Sequence, residues 1–177
     1  MSVDPASLLD HPSVRAVTEA LDAYSVRSGD PKPAITVLPD AVRTAAAAAE
    51  ALGTTASHIA NSLIFVAVSM DGHRSPLLVL ASGGAMVETQ VVADAAGLAE
   101  VERADADFVR RETGFAIGGV APVGHRTSTG EPLRTIVDVD LQQYEQIWAA
   151  AGHSHTVFPT TYERLLSMTG GEALRVR

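Results

Sequence analysis

The stretch that decides the fold is residues 57–68, SHIANSLIFVAV. It ends in six consecutive apolar residues, 63–68, which are typical of a strand buried on both faces. Asn61 and Ser62 stand at the entrance to this strand. Their side chains either bond backbone groups locally, as at many turns and helix ends, or belong to a functional site that the strand carries. The stretch by itself leaves both interpretations open.

The segments around this strand predict a mixed α/β fold. Asp71-Gly72 is a turn signal and residues 77–81 form the returning strand, so the two strands make a β-hairpin. Residues 143–150 fit a helix and a strand equally well. Hydrophobic spacing and caps predict helices over 12–24, 44–53, 89–96, 105–113 and 161–168, and strands over 34–38, 133–139 and the HTVFP segment 155–159. Interspersed helices and a hairpin favour a mixed α/β (α+β) class, in one domain over residues 1–177.

Composition narrows the class of protein. The chain has 177 residues, 46% of them hydrophobic, and no run of 18 apolar residues, so it predicts a globular protein without a membrane-spanning helix. The N-terminus lacks the pattern of a secretory signal, which makes a cytoplasmic location the expectation. Cysteine is absent, which excludes disulfides and thiolate catalysis. The net charge of −8 argues against broad, non-specific nucleic-acid binding, and Lys32, the only lysine, is expected at the solvated surface.

Residues 113–125, TGFAIGGVAPVGH, form the most unusual segment. Four glycines lie among apolar residues rather than among the polar residues of a solvent loop. Gly118 and Gly119 therefore suggest bare main chain that lines a pocket, with a bulge or tight bend at a sheet corner as the alternative. The segment has the spacing of neither a Walker loop nor a dinucleotide fingerprint.

Histidines gather in residues 150–161, AAGHSHTVFPTT. His153 and His155 would face the same side of a strand and could begin a metal site, but no third ligand with suitable spacing is evident. No metal or other cofactor is therefore predicted, and neutral histidines that line a polar pocket are favoured. Asp138 and Asp140 are expected to close their strand into a turn.

The common hydrolytic motifs are missing. The sequence has no G-x-S-x-G elbow, no H-E-x-x-H and no cysteine. Any chemistry performed on a substrate is thus expected to proceed without a side-chain nucleophile.

Three stretches together resemble a known family: HIANSLIF, PLLVLASGG and ADADFVRRETGFAIGGVAPVGH. With the closing AAGHSHTVFPTTYERLLSMTGG, they are similar to the YbaK/EbsC family of aminoacyl-tRNA deacylases, which are related to the editing domain of bacterial prolyl-tRNA synthetase. The resemblance covers residues 11–176, and its most specific part is T-G-[FY]-x-x-G-G-x-x-P-x-G. It implies one compact domain with a twisted, barrel-like mixed sheet flanked by helices.

The resemblance also implies a function. Family members hydrolyse the ester that joins a wrong amino acid to the 3′ end of tRNA, using a water held by backbone groups and assisted by the 2′-hydroxyl of the terminal ribose. The expected partners are the 3′ end of aminoacyl-tRNA and an aminoacyl-tRNA synthetase. The candidate catalytic residues are Asn61 and Gly118, and the candidate substrate-binding residues are Ser62, Phe65, Ser82, Gly83, Gly119, His125, His153 and His155.

One position departs from the family pattern. Asn61 stands where the resemblance implies a lysine, and an amide has no charge to place near a phosphate or a developing oxyanion. Two functions therefore stay open: a free-standing trans-editing deacylase, and a weakened or inactive relative that binds an aminoacyl-like small molecule or a protein partner. Arg110, Arg111, Arg126 and Arg134 bracket the glycine segment and could supply local positive potential. A positive rim around the pocket would favour tRNA. Metal-dependent hydrolysis through His153 and His155 ranks third.

Overall fold

The computed structural model describes residues 4–177, and within that range the chain forms six α-helices and eight strands. The helices are α1 (Pro5–Leu9), α2 (Pro12–Ser28), α3 (Ala45–Leu52), α4 (Thr89–Ala96), α5 (Ala106–Thr113) and α6 (Tyr162–Thr169). The strands are β1 (Thr36–Val37), β2 (Ile59–Val68), β3 (Arg74–Ser82), β4 (Glu100–Arg103), β5 (Arg134–Asp138), β6 (Ile147–Ala150), β7 (Thr156–Thr160) and β8 (Glu172–Leu174).

All eight strands belong to one mixed sheet. Its order is β1-β7-β6-β2-β3-β5-β8, and β4 pairs with β2 beside this path. The β2–β3 hairpin is antiparallel over nine residue pairs, whereas β2–β6, β3–β5 and β5–β8 are parallel. The predicted mixed α/β domain with a mixed sheet is confirmed.

The central hairpin is buried on both faces of the sheet. Successive side chains of a strand point to opposite faces, so Ile64 enters one core cluster and Phe65 the other. In the same way Leu78 and Leu80 alternate with Leu77 and Val79. The first cluster is covered by α2, α5 and α6, and the second by α4. This arrangement explains the unbroken apolar run of residues 63–68.

Two loops rest directly on the backbone of α2. A Cβ on Gly152, which follows β6, would lie 2.5 Å from the Ser13 carbonyl oxygen, and a Cβ on Gly124 would lie 2.8 Å from that of Ala16. Both glycines also have positive φ values, +97° and +82°. Only glycine allows the main chains to approach this closely. The first half of α2 therefore serves as a platform for both loops.

Most predicted elements are confirmed, with corrections at their ends. Helix α4 has the predicted bounds, and Thr44, Asp105 and Thr161 cap their helices through their side-chain oxygens. Strand β2 begins three residues before the expected 62–70 and ends two residues before its end, β3 extends the expected 77–81 at both ends, and β1 has only two residues. The ambiguous segment 143–150 begins at the last residue of a 3₁₀ turn, Val139–Gln143, and its second half forms β6, which pairs with β2 and β7.

The expectations for Asp138 and Lys32 can also be compared with the structure. The side chain of Asp138 accepts a hydrogen bond from the Asp140 backbone N–H at 3.0 Å, so it closes β5 into the following turn as expected. Lys32 is partly exposed and pairs with Asp22 at 2.7 Å. Within residues 4–177, none of the helices combines the length and the hydrophobicity that a membrane crossing needs.

Candidate active site

A cavity of about 390 Å³ opens where the entrance of β2, the start of α3, the glycine segment and the β6–β7 turn meet. Asn61, Ser62 and Gly83 line it from the hairpin, Gly118 from the glycine segment and His153 from the turn. Residues that are distant in sequence thus come together, as the interpretation of Asn61 and Ser62 as pocket residues requires. The rest of the wall is largely apolar and includes Leu63, Val120 and Trp148.

The polar pair on β2 lies at a gap in the sheet. On the edge of β2 away from β3, β6 pairs with Ile59 and Ala60, and β4 pairs with residues 65–68. Within residues 4–177, no strand pairs with residues 61–64 on that edge. Ser62 Oγ is buried and has no hydrogen-bond partner within residues 4–177. A buried hydroxyl without a partner leaves a hydrogen bond for a substrate or a water.

The two central glycines take different positions. Gly118 lines the cavity with φ +91°, and a Cβ there would lie 3.4 Å from Cγ of Arg43. Gly119 instead packs against the β6–β7 turn, where a Cβ would lie 3.0 Å from the His153 Cα and 3.1 Å from the Gly152 oxygen. One glycine exposes its main chain to the cavity, and the other allows the turn that carries His153 to approach.

The main chain of Gly83 packs tightly against Ala45 and Ala56 on the other side of the cavity. A Cβ at this position would lie 2.5 Å from the Ala56 carbonyl oxygen and would collide with the side chain of Ala45, the first residue of α3. The bare main chain of Gly83 therefore lets α3 close down on the end of the hairpin.

His153 stands in a row of three imidazoles. Its ring centroid lies 5.0 Å from that of His11 and 5.6 Å from that of His155. The His155 backbone N–H donates to Nδ1 of His153 at 3.3 Å, so the proton of neutral His153 resides on Nε2. Burial, and then the charges of His11 and His155, lower the pKa of His153. A neutral imidazole at this wall can donate one hydrogen bond.

Besides Gly119, four predicted site residues lie outside the cavity lining. Phe65 packs in the second core cluster, because it lies beyond the gap, where β4 pairs with β2. Ser82 donates its hydroxyl to the Ser57 carbonyl oxygen at 2.9 Å. His155 is buried, with Nδ1 3.0 Å from the Leu38 oxygen. His125 Nε2 lies 2.7 Å from the Ala121 oxygen, at a separate groove.

The arginines named from the sequence also lie elsewhere. None of Arg110, Arg111, Arg126 and Arg134 lines the cavity. Arg111 pairs with Glu112 at 3.0 Å and Arg134 with Glu172 at 2.7 Å, so their charges are compensated. Within residues 4–177, no three histidine and carboxylate side chains are grouped to hold a metal ion.

The sequence interpretation missed Arg43 and Trp148. Arg43 is the one charged side chain in the described lining, which contains no aspartate or glutamate. Backbone hydrogen bonds from Leu38 to His155 and from Val42 to Ser154, both 2.7 Å, place the segment before α3 along the β6–β7 turn. A basic residue directly before the capping Thr44 was the only available signal, and it does not indicate a cavity.

Comparisons with known proteins agree with this geometry. Residues 39–168 match the family described as "Aminoacyl-tRNA editing domain". The chain belongs to this family. The resemblance to YbaK/EbsC deacylases is thereby confirmed.

The relatives span most of the chain. EbsC of Enterococcus faecalis (strain ATCC 700802 / V583), named as a Cys-tRNA(Pro)/Cys-tRNA(Cys) deacylase, is 26% identical over 129 residues, which are 73% of this chain and 74% of EbsC. A solved structure described as a trans-editing enzyme for prolyl-tRNA synthetase is 35% identical, has a TM-score of 0.79, and covers 94% of this chain and 97% of its own. The solved hypothetical protein APE2540, 23% identical with a TM-score of 0.75, covers 89% and 98% and shares the fold.

Proposed function

We propose that this editing-domain protein is a deacylase that hydrolyses the ester of mischarged tRNA in trans. The observation that carries the proposal is the cavity at the β2 gap, which joins Asn61, Ser62 and Gly118 in a wall without a carboxylate or a side-chain nucleophile. Such a site suits a reaction in which hydrogen-bonding groups position a water, and the ribose 2′-hydroxyl of the substrate assists the attack. The similarity to the enterococcal deacylase supports the same reaction.

Each polar or glycine residue of the cavity has its own role in the proposed hydrolysis. The bare main chain of Gly118 allows close approach of the ester, since a side chain there would be strained and would contact Arg43. The Asn61 amide donates to the oxygen that gains negative charge, and Ser62 Oγ binds the water or the α-amino group. His153 donates from Nε2 at the opposite wall. Positioned donors of this kind stabilise a developing oxyanion in a site that excludes bulk water.

The charge distribution fits an anionic substrate despite the net charge of −8. Aspartate and glutamate are absent from the described lining, and an arginine stands at its rim. Only the single-stranded 3′ end of the tRNA and its amino acid need to enter. A synthetase partner that holds the rest of the tRNA would offset the acidic surface.

A second function is favoured by Asn61 itself. If the amide cannot replace the lysine that the resemblance implies, the intact cavity binds an aminoacyl-like small molecule or a protein partner without hydrolysing an ester.

The test is deacylation of a panel of mischarged tRNAs, including Cys-tRNA(Pro), by the wild type, Asn61→Ala and Asn61→Lys. We expect wild-type hydrolysis of one or two species and a loss of about 100-fold in kcat for Asn61→Ala, the usual effect of removing one oxyanion donor. Gln142→Lys is the matched control for the added charge, because Gln142 is exposed and lies outside the cavity lining.

The other outcomes discriminate between the two functions. Activity that appears only in Asn61→Lys would mean that the cavity is intact and that the natural protein binds without catalysis. Inactivity of the wild type and both Asn61 variants on every tRNA would overturn the deacylase proposal.

A further inference from the structure

Arg43 lines the cavity and has no carboxylate partner among the described residues. Within residues 4–177, six lysine and arginine side chains form salt bridges, and Arg43 is not among them. It is exposed, and no acidic residue lines the cavity beside it. The described lining therefore carries one arginine and no carboxylate, in a chain with 21 aspartate and glutamate residues.

Gly118 lies beside the stem of Arg43. A Cβ on the glycine would lie 3.4–3.6 Å from Cα, Cβ and Cγ of Arg43, which is ordinary van der Waals contact. Val42, the residue before Arg43, donates a backbone hydrogen bond of 2.7 Å to the Ser154 carbonyl oxygen, which fixes its position. The guanidinium therefore extends from an anchored stem rather than from a free loop.

The polar groups of the cavity lie at different depths. Ser62 Oγ is buried, whereas Arg43 is exposed at the opening. In an aminoacylated adenosine the 3′ ester and the 5′ phosphate leave the ribose at different carbons. The ester can then reach Asn61 and Ser62 while the phosphate stays at the rim.

We infer that Arg43 binds the 5′ phosphate of the terminal adenosine and so sets how deeply the ester enters. This inference rests on the proposed function for the identity of the nucleotide. Arginine suits the role because its planar guanidinium donates two parallel hydrogen bonds to a phosphate. Arg43 is thus a substrate-binding residue that the sequence did not indicate.

Trp148 allows a binding test that does not depend on catalysis. It is the only tryptophan in the chain and lies in the cavity wall, so its fluorescence reports occupancy. The probes are adenosine 5′-monophosphate, adenosine and inorganic phosphate, titrated into the wild type, Arg43→Gln and Arg43→Lys. Arg103→Gln is the matched control, because Arg103 is exposed on β4 and outside the cavity lining.

We expect the wild type and Arg103→Gln to bind the monophosphate about tenfold more tightly than adenosine. Arg43→Gln should lose this preference with its adenosine affinity unchanged, and Arg43→Lys should retain part of it. Equal affinity for both probes in the wild type, no fluorescence response to either, or the same response to inorganic phosphate alone would each overturn the inference.

The deacylation assay separates this inference from the proposed function. If hydrolysis occurs, Arg43→Gln should raise KM about tenfold with little change in kcat; a loss confined to kcat would contradict a phosphate contact. A wild type that hydrolyses no tRNA but prefers the monophosphate in an Arg43-dependent way would overturn the deacylase proposal and leave the phosphate site standing.

Discussion

Asn61 and Ser62 occupy a part of β2 where a polar side chain does not disturb the core. The strand is paired with β3 over residues 60–68, but within the described part of the chain its other edge has no partner strand at residues 61–64. Beyond this gap, Phe65 and Ala67 return to the buried cluster. Leu63 still lines the cavity, and from Ile64 onward the strand belongs to the core.

His125 gives a prediction on stability. Burial lowers the pKa of its imidazole to about 4, against 6.5 in the unfolded chain, and the hydrogen bond to Ala121 only partly opposes this. Between these pH values the unfolded state binds the extra proton, so stability is complete above pH 6.5 and is lost as the pH falls toward 4. We expect protonation of His125 in the unfolded chain to lower the free energy of unfolding by about 2 kcal/mol when the pH falls from 7 to 5.

The measurement is urea unfolding of the wild type and His125→Gln at both pH values. Glutamine does not titrate, so the variant should lose about 2 kcal/mol less than the wild type on acidification. His73→Gln, in the exposed hairpin turn, serves as control. Equal acid destabilisation of the wild type and His125→Gln would show that His125 does not titrate between pH 5 and pH 7.

At the scale of elements, the β6–β7 turn is confined on two sides. Gly152 presses it against Ser13 of α2, and Gly119 approaches it from the cavity side. Because the turn carries His153, the position of this imidazole depends on both glycines. The turn cannot withdraw from one neighbour without colliding with the other.

Gly119→Ala tests this confinement. The new Cβ would lie 3.0 Å from the His153 Cα, and the turn has no room to retreat, so we expect a loss of about 1–3 kcal/mol in unfolding free energy and a shift of His153. Gly84→Ala is the control, since the nearest atom to its Cβ would be Ser57 Oγ at 3.7 Å. Urea unfolding measures both variants. Equal stabilities would mean that the turn relaxes freely.

The sequence predicted the local elements better than their arrangement. Thr44, Asp105 and Thr161 cap helices because capping depends on neighbours three residues away. Strand β4 was missed because Val101 is its only buried residue, and β8 because it has three residues.

In the site too, the sequence indicated residues with a local signal but not those that depend on the arrangement of distant segments. Asn61, Ser62, Gly118 and His153 were indicated by unusual local composition. Arg43 and Trp148 were not, since they reach the cavity only through the parallel pairing of β6 with β2 and the contact of residues 38–42 with the β6–β7 turn. Such pairings join distant segments and leave no periodic signal.

At the scale of the whole molecule, α2 supports a site to which it contributes no lining residue. The family match begins at residue 39, after α2 has ended. Nevertheless Val14, Val17 and Leu21 are fully buried, and Gly124 and Gly152 pack on the helix backbone. The cavity walls therefore depend on an element outside the matched segment.

Leu21→Ala should reveal this dependence. Removing a fully buried leucine leaves a void in the core cluster that also contains the cavity-lining Val120 and Ala149. We expect a loss of about 2–5 kcal/mol in unfolding free energy, with the deacylation rate or Trp148 fluorescence changed as well. Leu9→Ala, at a leucine 42% exposed, should lose less than about 1 kcal/mol. The test is urea unfolding of both variants, together with their deacylation rates and Trp148 fluorescence. A destabilised variant whose cavity is unaltered would contradict the platform role of α2.

The gap on the edge of β2 has a consequence for how such a site can diversify. Its flanks are fixed by β6 and β4, and its register by the nine pairs with β3, so a one-residue insertion in β2 would turn every core side chain to the wrong face. A substitution inside the gap leaves these pairings intact. The scaffold therefore permits exchange of the side chain at residue 61 while forbidding any shift of its position, and an asparagine there is one result that such freedom allows.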